Sequence, residues 1–254
     1  MTDLSHHLDR TILIHAPRDT VFAFFTDSRL WASWWGDGSS IDPTPGGAVY
    51  IRYPNGVEAS GEVIDVEAPA RMTFSFGFVT GQPIPPGGSR VSIRLTAVPQ
   101  GTELTLRHEF AEAGVRDEFV QGWRYQLARF GNVVADRQHA GAAATIDRWF
   151  TAWNEPDASA RLATLEATCA PAVSFRDRFG FVDGVSELAA HVEAARRFMP
   201  GLTLGRRGEV RHVLGWVLTD WSAVKADGTS AGQGTDLFRL DADGRIAHVT
   251  GFWQ

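Results

Sequence analysis

The first half of the chain alternates apolar and polar residues with a period of two, between short helical stretches and one long one. Six such segments, separated by turn residues, span residues 10–16, 49–53, 57–66, 72–79, 91–98 and 102–110. Successive side chains of a strand point to opposite faces, so the pattern predicts a curved antiparallel sheet with one buried face. Apolar residues at Val120, Trp123, Leu127, Phe130 and Val134 then recur at helical spacing. They predict a long helix that lies across the sheet.

Two short helices are predicted between the first and second strands. Pro17 opens the first helix, and Asp19 lies in its first turn, where a negative charge is favourable. The second helix carries Leu30, Trp31, Trp34 and Trp35, and Gly36 ends it.

The second half has the reverse order, helices first and strands last. Ile146, Trp149, Phe150 and Trp153 mark the apolar face of a helix, and Asp157 caps the next one. A hairpin over 175–182 and a helix over 185–198 precede four strands over 202–212, 216–224, 231–240 and 246–253. Asp-Gly pairs at 227–228 and 243–244 are typical of hairpin turns. Residues 138–144 are small and weakly patterned, so we predict two domains, 1–139 and 140–254, of α+β class.

Composition narrows the classes of partner. The 254 residues are 44% hydrophobic and 21% charged, with a net charge of -6 and basic residues scattered along the chain. We therefore expect neither nucleic acid nor a membrane as a partner. The polar start of the chain and its single cysteine, Cys169, favour a cytoplasmic protein without disulfides.

Two carboxylates lie among large apolar residues, Asp177 after Phe175 and Asp236 before Phe238. Burial opposes ionisation of a carboxylate, and this makes such a group suitable for proton transfer at neutral pH. Asp236 shares a strand face with Phe238 and Leu240. The alternatives are a hydrogen-bonded core carboxylate for Asp236 and a turn residue bonded to its own backbone for Asp177.

Three residues of the first half are candidate ligand contacts. His108 is the polar member of an apolar stripe, and Trp35 and Trp123 are aromatic residues at helical spacing. Each has a structural alternative, as a satisfied core histidine or as ordinary core aromatics. The eight histidines show no metal-binding spacing, and no dinucleotide fingerprint is present, so we expect neither metal nor cofactor.

Several motifs of the first half resemble activator-of-Hsp90-ATPase-like domains of the START/Bet v 1-like superfamily. They are residues 12–22, the pair Trp34-Trp35, residues 61–72 and 101–108, and Gly122-Trp123. The resemblance implies a helix-grip fold, in which a sheet wraps around a long helix and encloses a cavity for hydrophobic molecules.

The second half resembles SnoaL-like domains of the NTF2-like class, through residues 148–157, 175–180 and 235–246. The resemblance implies a cone-shaped α+β barrel that forms homodimers through the outer face of its sheet. Within that class it places Asp177 on the general-base position of ketosteroid isomerase and Asp236 on the protonated-acid position. Trp149 falls where that enzyme has a tyrosine, and Trp153 and Phe238 are expected substrate contacts.

The two halves together predict a protein that binds a hydrophobic small molecule. Asp177 and Asp236 suggest metal-free acid/base chemistry of an isomerase, cyclase, dehydratase or hydrolase. The alternative is a non-catalytic binding or regulatory protein, with a co-chaperone-like role as one form.

Overall fold

The computed structural model describes residues 3–254, a mixed α+β chain with two sheets. Its residues divide into two compact units, with the boundary between Ala135 and Asp136. Among the described residues, no helix is both long and apolar enough to cross a membrane.

The first unit is built on a seven-stranded antiparallel sheet in the order β1-β7-β6-β5-β4-β3-β2. The strands are β1 (His6–Ile14), β2 (Ser40–Ile41), β3 (Ala48–Arg52), β4 (Glu58–Glu67), β5 (Arg71–Phe78), β6 (Ser89–Val98) and β7 (Gly101–Phe110). Burial alternates along them as the sequence predicts, so one face of the sheet carries the core. The predicted strand over 10–16 begins earlier, at His6, because β1 pairs with β7 along its full length.

Three helices complete the first unit: α1 (Arg18–Ala23), α2 (Ser28–Trp35) and α3 (Ala113–Gln138). Pro17 is the N-cap of α1, and the Asp27 side chain caps α2 by accepting two backbone N–H groups. Phe130 of α3 packs edge-on against Trp34 of α2, with ring centroids 4.8 Å apart. Truncation of such a buried aromatic side chain to alanine typically costs about 3–5 kcal/mol.

The second unit has a six-stranded sheet in the order β10-β11-β12-β13-β8-β9. Its elements are α4 (Ala142–Asn154), α5 (Ala158–Thr168), β8 (Cys169–Arg176), β9 (Phe181–Asp183), α6 (Val185–Phe198), β10 (Thr203–Val213), β11 (Trp216–Val224), β12 (Ser230–Leu240) and β13 (Ile246–Trp253). The predicted helix over 185–198 is confirmed at both ends, and Asp157 caps α5 by accepting from the Ala160 N–H at 2.8 Å.

The hairpin of the second unit differs from its prediction in one respect. Strand β8 begins at Cys169, six residues before Phe175, and pairs with β13 in parallel. Parallel pairing joins segments far apart in the sequence, so no turn signal marks it. Cys169 is buried there, and burial raises the pKa of its thiol to about 12.

The junction is shorter than the weakly patterned stretch of the sequence. Helix α3 continues to Gln138 and α4 begins at Ala142. The last turn of α3 belongs to the second unit, where the Gln138 side chain donates to the Ala242 carbonyl at 2.9 Å.

We expect the predicted domains, residues 1–139 and 140–254, to fold when expressed separately. A fragment 136–254 should exceed 140–254 in free energy of unfolding by about 1 kcal/mol, since it keeps the hydrogen bond of Gln138. Circular dichroism and urea unfolding of the three fragments measure this difference. If neither 1–139 nor 140–254 unfolds cooperatively, the predicted limits are wrong.

Candidate functional site

The first unit contains a cavity of about 350 Å³ between α2, α3 and the buried face of the sheet. Its floor is formed by buried residues: Trp35, Phe76, Trp123 and Gln126. Its mouth is lined by exposed residues: Asn55, Val57, Pro83, Glu118 and Gly122. Half-buried aromatic side chains of Tyr53, Phe78 and Phe119 join the two. The volume and the apolar lining are those of a small-molecule pocket.

Trp35 is held in the floor by contacts with several aromatic rings. Its ring centroid lies 4.3 Å from that of Trp34, 5.7 Å from Tyr53 and 5.8 Å from Trp123. Such tilted and edge-on pairs each contribute about 0.5–1.5 kcal/mol beyond their burial. Burial also raises the pKa of the Tyr53 hydroxyl, so this side chain is neutral at the cavity wall.

The Trp35 indole N–H is buried, and no group in residues 3–254 accepts a hydrogen bond from it. An unpaired buried donor costs about 1–3 kcal/mol. The Trp35 indole nitrogen has almost no accessible surface, so a ligand reaches this N–H only after a neighbouring side chain moves.

His108 is fully buried behind the cavity and does not line it. The Trp123 indole N–H donates to His108 Nδ1 at 2.9 Å, and His108 Nε2 lies 2.8 Å from Ser89 Oγ. An indole only donates, so Nδ1 carries no proton and Nε2–H donates to Ser89. The Ser89 hydroxyl in turn donates to the Phe76 carbonyl. Burial lowers the pKa of His108 to about 3, and the chain of hydrogen bonds fixes the Trp123 ring in the cavity floor.

Asp236 lies on the buried face of β12, beside Phe238 as its alternation predicts. Its Oδ1 accepts a hydrogen bond from the Trp221 indole N–H at 2.8 Å. Burial raises the pKa of Asp236 to about 7, with a further increase from the charge of Asp177, while the bond from Trp221 lowers it. Burial has the larger effect, so protonated and ionised forms coexist near neutral pH.

Asp177 lies in the turn after β8 and is half-buried. Its Oδ1 accepts from the backbone N–H groups of Phe179 and Gly180, both at 2.8 Å. Its Oδ2 accepts from the Trp253 indole N–H at 3.1 Å. The two backbone bonds are those of a turn residue, as the structural alternative expects, and the indole bond adds a third N–H donor.

Gly251 separates the two carboxylates. A Cβ at this position would lie 3.1 Å from Asp236 Oδ1 and 3.4 Å from Asp177 Cβ. The absence of a side chain lets both aspartate side chains approach the same point on β13.

Sequence reasoning did not identify Trp221 and Trp253 as residues of this site. Both face Gly234 across the ladders of β11, β12 and β13, and their ring centroids lie 4.8 Å apart. Only the strand register could have identified them, because it places both tryptophans opposite Gly234. Their rings fill the space that the missing glycine side chain leaves.

The three predicted substrate contacts of the second half are buried together. Trp149 and Phe238 are 1% and 0% exposed, with ring centroids 5.8 Å apart. Trp153 lies 5.8 Å from Trp149 and lines a second cavity, of about 240 Å³, with residues of α6 and β10. Neither Asp177 nor Asp236 lines this cavity or the one in the first unit.

No group of three or more His, Cys, Asp or Glu side chains in residues 3–254 is arranged to hold a metal ion. The eight predicted site residues therefore divide into two sets. Trp35 and Trp123 line the cavity of the first unit, with His108 behind it; the other five, Trp149, Trp153, Phe238, Asp177 and Asp236, lie in the second unit.

Comparison with known proteins gives a separate relative for each half. Residues 15–135 match the family model of Activator of Hsp90 ATPase homolog 1-like protein. No curated protein matches the chain at a significant level.

Among solved structures, a candidate isomerase of the SnoaL-like family from Agrobacterium tumefaciens is 30% identical. The match covers 46% of this chain and 98% of that one, with a TM-score of 0.43. CalU16 from Micromonospora echinospora is 27% identical over 50% of this chain and 74% of its own, with a TM-score of 0.41. A protein from Mesorhizobium loti is 20% identical over 52% of this chain and 98% of its own, with a TM-score of 0.46. Residues 15–135 thus resemble the Activator of Hsp90 ATPase homolog 1-like proteins, and the other half of the chain resembles the SnoaL-like family.

Proposed function

We propose that this chain binds a hydrophobic small molecule in the cavity of its first unit. The observation that carries the proposal is an aromatic floor beneath an exposed mouth, in a cavity of about 350 Å³. On this proposal the first unit is a helix-grip domain of the START/Bet v 1-like type, and the second is an NTF2-like cone.

The lining favours a flat molecule with one hydrogen-bond acceptor. Trp35, Trp123 and Phe76 offer ring faces and edges to a planar ligand, and burial of apolar surface contributes about 25 cal/mol per Å². The unpaired Trp35 N–H supplies one donor, which a carbonyl oxygen would accept once a neighbouring side chain moves aside.

Gly122 offers a way to fill the mouth without disturbing the fold. It is an exposed residue of α3 that lines the cavity, and a Cβ there would meet nothing within 4 Å. Gly114, on the same helix and equally open, does not line the cavity. Leucine at either position should raise stability by up to about 1 kcal/mol, because glycine is a poor helix former.

We expect 2-acetylnaphthalene to bind the wild-type protein more tightly than 2-ethylnaphthalene, which lacks the carbonyl. Gly122→Leu should weaken binding of both by about tenfold or more through loss of volume. Gly114→Leu should leave both unchanged. Isothermal titration measures the affinities, and equal binding by the two glycine variants would contradict the proposal.

The second unit supports an acid/base reaction as a second candidate function. Asp236 is buried and, with a pKa of about 7, is present in both protonated and ionised forms near neutral pH. Asp177 lies on the other side of Gly251 and accepts hydrogen bonds from three N–H groups. In this reading Asp177 takes a proton from the substrate, and protonated Asp236 donates a hydrogen bond to the developing negative charge. The reaction class is an isomerisation, cyclisation, dehydration or hydrolysis.

Asp177→Asn removes the base and should reduce turnover by on the order of 100-fold or more. Asp236→Asn keeps a hydrogen-bond donor and should reduce it less. The rates are measured on small polyketide-like and epoxide substrates that the wild type converts. Unchanged turnover in Asp177→Asn would contradict the acid/base function and favour a non-catalytic binding protein.

Stability should report the environment of Asp236 independently of any substrate. Its pKa of about 7 in the folded state exceeds the ordinary value of 3.8, so between these values the folded state holds a proton that the unfolded state has lost. The contribution of the protonated Asp236 carboxyl to the stability of the second unit is therefore fully present below about pH 4 and is lost as pH rises toward 7.

We expect Asp236→Asn to be more stable than the wild type at pH 8 and to lose this advantage at pH 4. Urea unfolding at both values gives the difference between variant and wild type, in which other titrating groups cancel. Asp220→Asn, on the opposite face of the sheet, is the control. A difference that does not change with pH would show that Asp236 ionises normally.

The outer face of the second sheet fits a homodimer. Leu218 and Leu237 face each other across β11 and β12 on this face, next to Trp216. Leu237→Lys should convert a dimer to a monomer, because a charge would be buried at the contact. Phe198→Lys, at an 86% exposed position of α6, is the control. Light scattering gives the mass, and a monomeric wild type would contradict the dimer.

A further inference from the structure

The cavity of about 240 Å³ in the second unit lies where α4 ends, between the last turn of α6 and the start of β10. Its apolar walls are Ala195, Met199, Leu202 and Leu204. The Asn154 side chain exchanges two hydrogen bonds with the backbone of Leu204, at 2.7 and 2.8 Å. These bonds join α4 to β10 and fix that wall.

Arg196 is the one charged residue of the lining. It is half-buried, and no carboxylate in residues 3–254 lies within 4 Å of its guanidinium. The nearby Glu193 pairs instead with Arg161 and Arg197. Arg196 Nη1 donates to the Trp153 carbonyl at 2.9 Å, which uses one of its five N–H groups.

The Trp153 ring lies in the same wall. The Trp153 indole N–H is buried, and no described residue accepts a hydrogen bond from it. Aromatic contacts hold the ring in place, with centroids 5.7 Å from Phe175 and 6.0 Å from His191. A positive charge without a carboxylate partner therefore lies beside apolar side chains in one small cavity.

We propose that this cavity binds the carboxylate of a small organic acid, with Arg196 as the donor and the apolar body against Met199 and Leu202, next to the Trp153 ring. Arginine is suited to carboxylates because its planar fork presents parallel N–H groups. At about 30 Å³ for a water-sized group, the volume holds on the order of eight to ten non-hydrogen atoms.

The structural alternative is that Arg196 only caps helices. It lies in the last turn of α6, where a positive charge is favourable, and it bonds a carbonyl at the end of α4. That role needs a donor but does not distinguish an acid from its amide. Discrimination between the two is therefore the decisive measurement.

Phenylacetate and phenylacetamide are a matched pair of suitable size that differ in charge. We expect the wild-type protein to bind phenylacetate about tenfold more tightly or better, because the acid accepts charge-assisted hydrogen bonds. Arg196→Gln keeps a donor for the Trp153 carbonyl but removes the charge, so it should abolish the preference. Arg197→Gln, at the exposed neighbouring position, should retain it.

Nuclear magnetic resonance locates the bound acid. The indole N–H signal of Trp153, assigned by its loss in Trp153→Phe, should shift on addition of phenylacetate, and Gly122→Leu should not reduce the shift. Three results would overturn the proposal: no binding of phenylacetate, equal binding of acid and amide, or equal loss in Arg196→Gln and Arg197→Gln. A shift confined to Trp35 would place the acid in the cavity of the first unit and would overturn it too.

Discussion

The pairing of tryptophan N–H groups is the constraint on which both units depend. A buried indole fills much apolar volume but brings one donor that must find an acceptor. Five indoles do so: Trp31 bonds the Tyr50 carbonyl, Trp34 the Phe24 carbonyl, Trp123 the ring of His108, Trp221 the carboxylate of Asp236 and Trp253 that of Asp177. Trp35 and Trp153 are buried without an acceptor among the described residues, and each lines a cavity. The two unpaired donors thus lie beside the cavities, at nitrogens that are closed off from solvent.

The polar partners of these indoles acquire their properties from the same constraint. His108 must stay neutral to accept from Trp123, and its burial ensures that it does. Asp236 accepts from Trp221 in either protonation state, so the bond does not decide its charge. Burial opposes ionisation more strongly than one indole N–H favours it, and the result is a carboxyl group poised near neutrality.

The elements could be predicted from the sequence because they depend on local patterns. The helix Val185–Phe198, the cap at Asp157 and the alternation that turns Asp236 inward each follow from a few neighbouring residues. The parallel pairing of β8 with β13 could not be predicted in this way, since it joins residues more than 70 positions apart.

The same limit applies to the candidate sites. The alternation of β12 predicts an inward Asp236, but its contact with Trp221 depends on the registers of β11 and β12. The carboxylate pair at Gly251 likewise requires β8 and β13 to lie side by side. The cavity at Arg196 has no sequence signal, because the arginine differs from the exposed Arg197 only in its tertiary surroundings.

Two of the buried titratable groups, His108 and Asp236, contribute opposite responses to acid in the two units. The pKa of His108 is lowered from 6.5 to about 3, so the unfolded state gains a proton first as pH falls below 6.5, and the first unit loses stability. The pKa of Asp236 is raised, so over much of the same interval the folded state of the second unit gains the proton and becomes more stable. Both shifts come from burial, which disfavours the charged form of either group. Histidine is charged below its pKa, whereas aspartic acid is charged above it. Because burial disfavours the charged form of each, it lowers the pKa of His108 and raises that of Asp236, and acid therefore changes the stability of the two units in opposite directions.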